Sequence, residues 1–288
     1  MAGEIPDVLE PFGSCLYHYT TLEKALEAIL PYWTIRMSPC SKMRDPRESG
    51  ALLLTVSGFE EARAAGAELD DETFRSVIGR SGELFRLGHG IKDLVKILSL
   101  TADHRSPRAS TTEILDRGFA HPRLWEQYGG AHRGVCICFG REALRKAVTD
   151  SLQRRGFGKP FYDDVKYRDG AIASEALEIR LEDVQSDGEI QGVLDAHIQK
   201  HRGELFFTKL LDWETEREFR FVITSNDVEP VDVPIHNTVR AVILGQDVPS
   251  VYRPALAALC DEGSVEMLEV RWTHGIPRFE DTMPPAPA

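Results

Sequence analysis

The sequence is short of several things, and each shortage excludes a class of protein. No apolar run approaches the ~18 residues that a membrane-spanning helix needs, so a spanning segment is excluded. The start, Met1 to Asp7, is acidic and has no basic segment followed by an apolar one. A cytoplasmic chain without a signal peptide is therefore expected. Positive charge is scarce: 34 Lys plus Arg stand against 46 Asp plus Glu, a net of −12. Tight sequence-independent binding of DNA or RNA needs many phosphate neutralisations, which this balance does not supply. The five cysteines are scattered and odd in number, which fits free thiols in a reducing compartment better than a disulfide framework. Nucleotide and hydrolase signatures are absent as well. There is no G-x-x-x-x-G-K-S/T, no G-x-G-x-x-G after a strand, no H-E-x-x-H and no G-x-S-x-G. Leu87-Gly88-His89-Gly90 is too short for a phosphate loop, and Asp163-Asp164 and Asp103-His104 read as loop charges, so no metal is expected.

What is present is ordinary globular material. The 288 residues are 42% hydrophobic, with a mean hydropathy of −0.27. Strands are expected at Cys15–Thr20, Trp33–Ser38, Ile97–Thr101, Gly134–Phe139, Phe161–Tyr167, Glu214–Thr224, 229–235, Val239–Leu244 and Val265–Trp272. Thr20-Thr21-Leu22-Glu23 reads as a capping box with Thr20 as N-cap, and Leu22, Ala25, Leu26, Ile29 and Leu30 give the helix an apolar face. Further helices are expected over 58–67, 71–80, 141–155, most of 171–202, 206–211 and 249–260. Without regular βαβ alternation this predicts one α+β domain over 15–280, with an N-terminal extension 1–14 and a flexible tail 281–288. Cys136 and Cys138 share one strand face and read as core filling.

Three segments offer chemistry. His18-Tyr19-Thr20 ends a strand just before a helix, where polar groups converge; the plainer reading is a half-buried strand histidine. In Trp213-Glu-Thr-Glu-Arg-Glu-Phe-Arg220, a strand puts Glu214, Glu216, Glu218 and Arg220 on one face and Thr215, Arg217, Phe219 and Phe221 on the other. Turned into a cleft, the carboxylates would raise one another's pKa and suit sugar hydroxyls; on an exposed edge they are a charge ladder. Trp125 and Tyr128, at i and i+3 on a short helix, either stack a flat ring or plug the core, and His132-Arg133 in the following turn either holds an anion or is solvated.

Taken in order, the segments resemble the bacterial domain-of-unknown-function family 2971. The matching pieces are Leu16–Leu22 with Ile29-Leu30, Ser38-Pro39 with Asp45-Pro46 and Glu48, and Trp125 with Tyr128. They continue with His132 and Gly134-Val135-Cys136, Val165 with Tyr167, and Lys209 with Trp213, Glu216, Glu218, Phe219 and Arg220. The resemblance runs over roughly 15–225, with Arg44 where the family usually carries Asn and His18 where many members carry Lys.

A more distant similarity, to ADP-ribosyltransferases, implies an activity. His18-Tyr19-Thr20 is similar to their first-strand histidine motif, Ile97–Thr101 to a middle strand bearing Ser99 and Thr101, and Glu216-Arg217-Glu218 to the late-strand glutamates. The resemblance implies a strand-rich split-sheet core with flanking helices, with the first and late strands side by side. It implies NAD as substrate, with cleavage of the nicotinamide–ribose bond and transfer of ADP-ribose to a protein, a nucleic acid or water. A toxin or phage-defence setting goes with it. Glu218, Glu216 and His18 would be catalytic. Tyr19, Thr20, Ser38, Ser99, Thr101, Tyr128, His132, Lys209 and Arg220 would bind the substrate. A carboxylate beneath the ribose would stabilise an oxocarbenium-like state. The alternative is a non-catalytic nucleotide-sensing or protein-interaction domain in the same setting. A third reading is a metal-dependent nuclease or phosphoesterase built on Asp45, Glu48 and Asp103. A cleft joining His18 to Glu218 would favour the enzyme; a cleft filled by side chains would favour the binding domain.

Overall fold

The aromatic and β-branched runs form strands where their composition predicts them, and the interruptions between them decide the topology. The computed structural model describes residues 5–64, 71–105, 113–185 and 189–280. Its strands are β1 (Cys15–Thr20), β2 (Thr34–Pro39), β3 (Thr55–Ser57), β4 (Val95–Ala102), β5 (Val135–Gly140), β6 (Phe161–Asp164) and β7 (Lys166–Tyr167). They continue with β8 (Glu178–Arg180), β9 (Thr208–Lys209), β10 (Glu218–Thr224), β11 (Val231–Pro234), β12 (Val239–Leu244), β13 (Glu266–Thr273) and β14 (Ile276–Glu280). Among the described residues there are also nine α-helices. The body is a mixed α+β fold around one ten-stranded sheet, in the order β11-β2-β4-β1-β5-β12-β13-β14, with β10 on β4 and β6 on β10.

β4 is the branch point of this sheet. It gives one edge to β10 along its length, from Thr101 opposite Glu218 to Val95 opposite Thr224. Its other edge is divided: β1 meets it at Thr101 and Ala102, and β2 at Ile97 and Lys96. The sheet therefore forks between β1 and β2. β4 also stands between β1 and β10, so the strands of His18 and Glu218 are not side by side.

Side chains alternate across the sheet. On one face Leu16, Leu98, Leu100, Ile137, Phe139, Phe219 and Phe221 pack under Leu144, Val148 and Leu152 of the helix Arg141–Arg154. The other face carries two separate apolar clusters. One joins Tyr17, Tyr19, Cys136 and Cys138 to Trp125 and Phe119. The second joins Val95, Ile97 and Val222 to the helices Asp71–Leu94 and Ile190–Phe206.

Several expected elements end elsewhere. The cap of the first helix is Thr21, whose side chain accepts from the Lys24 N–H at 3.4 Å; Thr20 still belongs to β1. The helix expected over 71–80 runs on to Leu94, so Leu87–Gly90 is helical. The span 171–202 contains β8 as well as helix, 206–211 contains β9, and Phe161–Tyr167 is two strands. The tail 281–288 lies outside the described residues, as do parts of the helix expected at 58–67 and of the loop after β4.

The largest change is before β10. Leu211–Glu216 is a 3-10 helix, closed by Arg217 in the left-handed conformation at φ +46°. The strand begins only at Glu218, so Glu214 is exposed and there is no four-residue charge ladder. A left-handed non-glycine residue costs about 1–2 kcal/mol. It is held by the Arg217 guanidinium donating to the His104 carbonyl at 3.0 Å and the Arg217 carbonyl accepting from the Ala102 N–H at 2.9 Å.

Candidate functional site

Between the two apolar clusters on that second face lies a buried group of charges. β10 contributes Glu218 and Arg220, β9 contributes Lys209, the 3-10 turn contributes Glu216, and the short helix Pro46–Ser49 contributes Glu48. Lys209 Nζ donates to Glu216 Oε2 at 2.6 Å and to Glu218 Oε2 at 3.3 Å, and lies 3.6 Å from Glu48 Oε2. Arg220 grips Glu218 with two nitrogens, Nη2 reaching Oε2 at 2.9 Å and Nε reaching Oε1. The same guanidinium pairs with Glu48 and donates to the Phe206 carbonyl at 2.7 Å. The Ser99 hydroxyl hydrogen-bonds Glu218, and the Glu218 N–H donates to the Tyr167 hydroxyl at 2.8 Å.

The side facing solvent is aromatic and cationic. The Tyr128 hydroxyl donates to Glu216 Oε1 at 2.6 Å and accepts from Gln127 Nε2 at 3.2 Å. The exposed Arg44 guanidinium sits 4.9 Å from the Tyr128 ring centroid. Trp213, half-buried, lies 4.7 Å from Lys209 Nζ.

Burial opposes the charges of Glu218, Glu48, Lys209 and Arg220, and pairing offsets it. Burial alone would raise the Glu218 pKa, but Arg220 and Lys209 overcome it and hold the carboxyl at about 2. Glu48 is different: burial pushes its pKa up, and Arg220 and Lys209 only partly resist. Glu48 therefore takes a proton before Glu218 does. Burial also lowers Lys209, but Glu218, Glu48 and Glu216 outweigh it and raise its pKa. The Tyr128 hydroxyl is pushed up by burial and by Glu216, so it stays a donor.

The structure brings together Glu216, Glu218, Lys209, Arg220, Tyr128 and Ser99, with Thr101 directly across from Glu218 on β4. It places the others apart. Tyr17 faces Thr101, which faces Glu218, and cross-strand partners share a face. His18, the next residue of β1, points the opposite way and is paired with Ile137 of the apolar core. Burial lowers its pKa to about 4, with a hydrogen bond to the Ser99 backbone in opposition. His18 and Glu218 therefore do not share a cleft. Tyr19 is core: its hydroxyl donates to the Gly118 carbonyl at 2.7 Å and its ring meets Trp125 edge-on at 5.1 Å. Thr20 is buried, and Gly134 packs so closely on its carbonyl that a Cβ there would sit at 2.2 Å, which explains that glycine. Ser38 faces Ile97, the row of Val222 rather than of Glu218. His132, left-handed at φ +64°, stacks on Trp125 at 6.2 Å. Trp125 is fully buried and its indole N–H donates to the Phe119 carbonyl at 2.8 Å, so it plugs the core while Tyr128 alone reaches the charges.

The carboxylates of the nuclease reading do not converge. Asp103 accepts from the Gly13 and Gly118 N–H groups at 2.8 Å each, Asp45 caps its helix by accepting from the Arg47 N–H at 2.9 Å, and Glu48 belongs to the ion cluster. Among the described residues no three His, Cys, Asp or Glu side chains gather as a metal-ligand group. No described helix is long and apolar enough to cross a membrane.

Glu48, Tyr167, Gln127 and Arg44 make contacts here that their local sequence does not announce; Glu48 and Tyr167 lie within the motif pieces, beside polar runs, and that is the one signal they carry.

Residues 124–221 match the family described as a protein of unknown function, DUF2971. The match covers Trp125, Tyr128, His132, Tyr167, Lys209, Glu216, Glu218 and Arg220, and is shorter than the 15–225 span of the resemblance. No curated protein and no solved structure matches the chain, which leaves the similarity to ADP-ribosyltransferases without support from these comparisons.

Proposed function

We propose that the chain is a non-catalytic binding domain of the nucleotide-sensing or protein-interaction kind. Tyr128, Gln127, Arg44 and Trp213 form its contact surface, and the ion cluster is the rigid base beneath them. The observation that carries this reading is the state of Glu218, which is 3% exposed with both oxygens bound by Arg220 and Lys209. A carboxylate that steadies an oxocarbenium ion must face the ribose, and its charge must not already be neutralised by two fixed cations. The aromatic rings and the exposed Arg44 beside them suit a planar or anionic partner.

The NAD-cleaving reading has one observation in its favour. β4 stands between β1 and β10 and sets the Ser99 hydroxyl on Glu218, so the three strands named by the resemblance are consecutive in the sheet. It requires Arg220 to release Glu218 and a ribose contact other than His18. The two readings separate in one experiment. Purified protein is incubated with NAD and a bacterial extract, and free nicotinamide is measured for wild type and Glu218→Gln. The binding reading expects release no greater than a no-protein blank from both. Release from the wild type that falls by ~100-fold in a folded Glu218→Gln protein would establish catalysis instead, since ~2.7 kcal/mol of lost transition-state stabilisation is a factor of that size.

A further inference from the structure

Lys92 is 2% exposed and Cys40 is 1% exposed. Lys92 lies on the face of helix Asp71–Leu94 that buries Leu84, Gly88 and Ile91, and Cys40 opens the turn Cys40–Lys42. The Lys92 amine is 3.9 Å from Cys40 Sγ and 5.4 Å from the Phe206 ring centroid. The nearby carboxylates are committed elsewhere, to Lys209 and Arg220. The Cys40 thiol donates to the Glu48 carbonyl at 3.3 Å, which fixes it against the ion cluster. A buried ammonium with no carboxylate partner among the described residues is costly, so a lysine here needs another explanation. Burial lowers the Lys92 pKa, against the influence of Cys40 and Glu48. Burial raises the Cys40 pKa, with Lys92 in opposition. The environment favours a neutral amine beside a neutral thiol in a dry setting.

We propose that Cys40 and Lys92 form a covalent oxidation site, in which hydrogen peroxide joins the two side chains through a single oxygen atom as Nζ–O–Sγ. The Lys92 amine, 3.9 Å away, takes the thiol proton; the thiolate attacks the first peroxide to give a sulfenic acid, and the hydroxide released takes the proton back from Lys92 and leaves as water. A second peroxide takes two electrons as the Nζ–O bond forms. The sulfenic O–H and one amine N–H are lost, and two further waters leave. In balance, one thiol, one amine and two hydrogen peroxides give one N–O–S link and three waters. Peroxide is a neutral molecule little larger than water and reaches buried thiols through local opening. The link ties the turn before Glu48 to the long helix and withdraws the only donor that the Cys40 thiol offers to the Glu48 carbonyl.

The test is intact mass and peptide mapping of the full-length protein after peroxide treatment. Wild type should become about 14 Da heavier, the net of one oxygen gained and two hydrogens lost, and a strong thiol reductant should reverse it. Digestion should give a single species joining the Cys40 and Lys92 peptides. Cys40→Ser, which conserves size, should abolish the link, and Cys260→Ala should leave it intact. Cys40 recovered as a free thiol after treatment would overturn the proposal. So would Cys40 carrying successive additions of about 16 Da with Lys92 unlinked.

Discussion

The two faces of β10 are held by different physics. Phe219, Phe221 and Ile223 enter the apolar core beneath helix Arg141–Arg154. Glu218 and Arg220, on the alternate positions, enter the ion cluster with Glu48, Lys209 and Glu216. Apolar packing is non-directional, so its stabilisation follows the area buried and tolerates exchange of similar shapes. The ion cluster is directional, and each charge is tolerable only while its partners stay. A buried pair contributes little net stability over an apolar replacement, yet breaking it is expensive. The strand is thus robust on one side and brittle on the other, and the brittle side is the one beneath Tyr128 and Trp213.

The sharpest way to break this contrast is Arg220→Met. It leaves Lys209 as the one cation for Glu218, Glu48 and Glu216, and the loss expected for under-compensated buried charge is about 3–5 kcal/mol in denaturant unfolding. Adding Glu218→Leu and Glu48→Leu to that variant should recover most of the loss. No recovery would show that the cluster stabilises the fold by more than mutual neutralisation.

Acid should separate the two faces next. Glu218 has a folded pKa of about 2, below the ordinary 4.5. Its contribution is present above about 4.5 and is lost as pH falls from there towards 2. His18, at about 4 on the apolar face, and His121, at about 3, are held below the ordinary 6.5 by burial. A histidine kept neutral in the fold contributes above pH 6.5 and loses that contribution as pH falls through its folded value. The thermal midpoint should therefore decline in two stages on acidification, the histidine stage first. His18→Gln should flatten the first stage and Glu218→Gln the second. A single stage that responds only to Glu218→Gln would remove the histidines from the account.

The smallest effect belongs to the apolar face. Phe221→Leu keeps an apolar side chain of somewhat smaller volume and should cost about 1 kcal/mol. It should leave the acid limb below pH 4.5 unchanged. A cost equal to that of Arg220→Met would mean that both faces are equally unforgiving.

Much of this arrangement is legible along the chain, for local reasons. β1 has the bounds its aromatic and β-favouring run predicts, and so does β12. Trp125 as a buried plug follows from a short helix folded back by Gly129 and Gly130. Glu216 and Glu218 do meet one cation, as a shared strand face would suggest, but by another route. The left-handed Arg217 turns Glu216 into the cluster from a 3-10 helix. That residue has no local signature, because its conformation is held by His104 and Ala102, more than a hundred positions earlier. His18 illustrates the opposite failure. Strand alternation states which neighbours share its face, but not which neighbouring strand lies alongside.

Local pattern determined the α+β character, most strand positions, the buried tryptophan and the set of charged residues worth watching. The tertiary structure alone decided that β4 separates β1 from β10, that His18 turns into the core, and that Glu48 closes the ion cluster from a different part of the chain. The physical reason is one of range. Propensity, capping and alternation act over a few residues, and a sequence displays them directly. Pairing order, and the neutralisation of buried charge, are settled between segments up to two hundred residues apart, where a carboxylate's partner is whichever cation the fold brings to it.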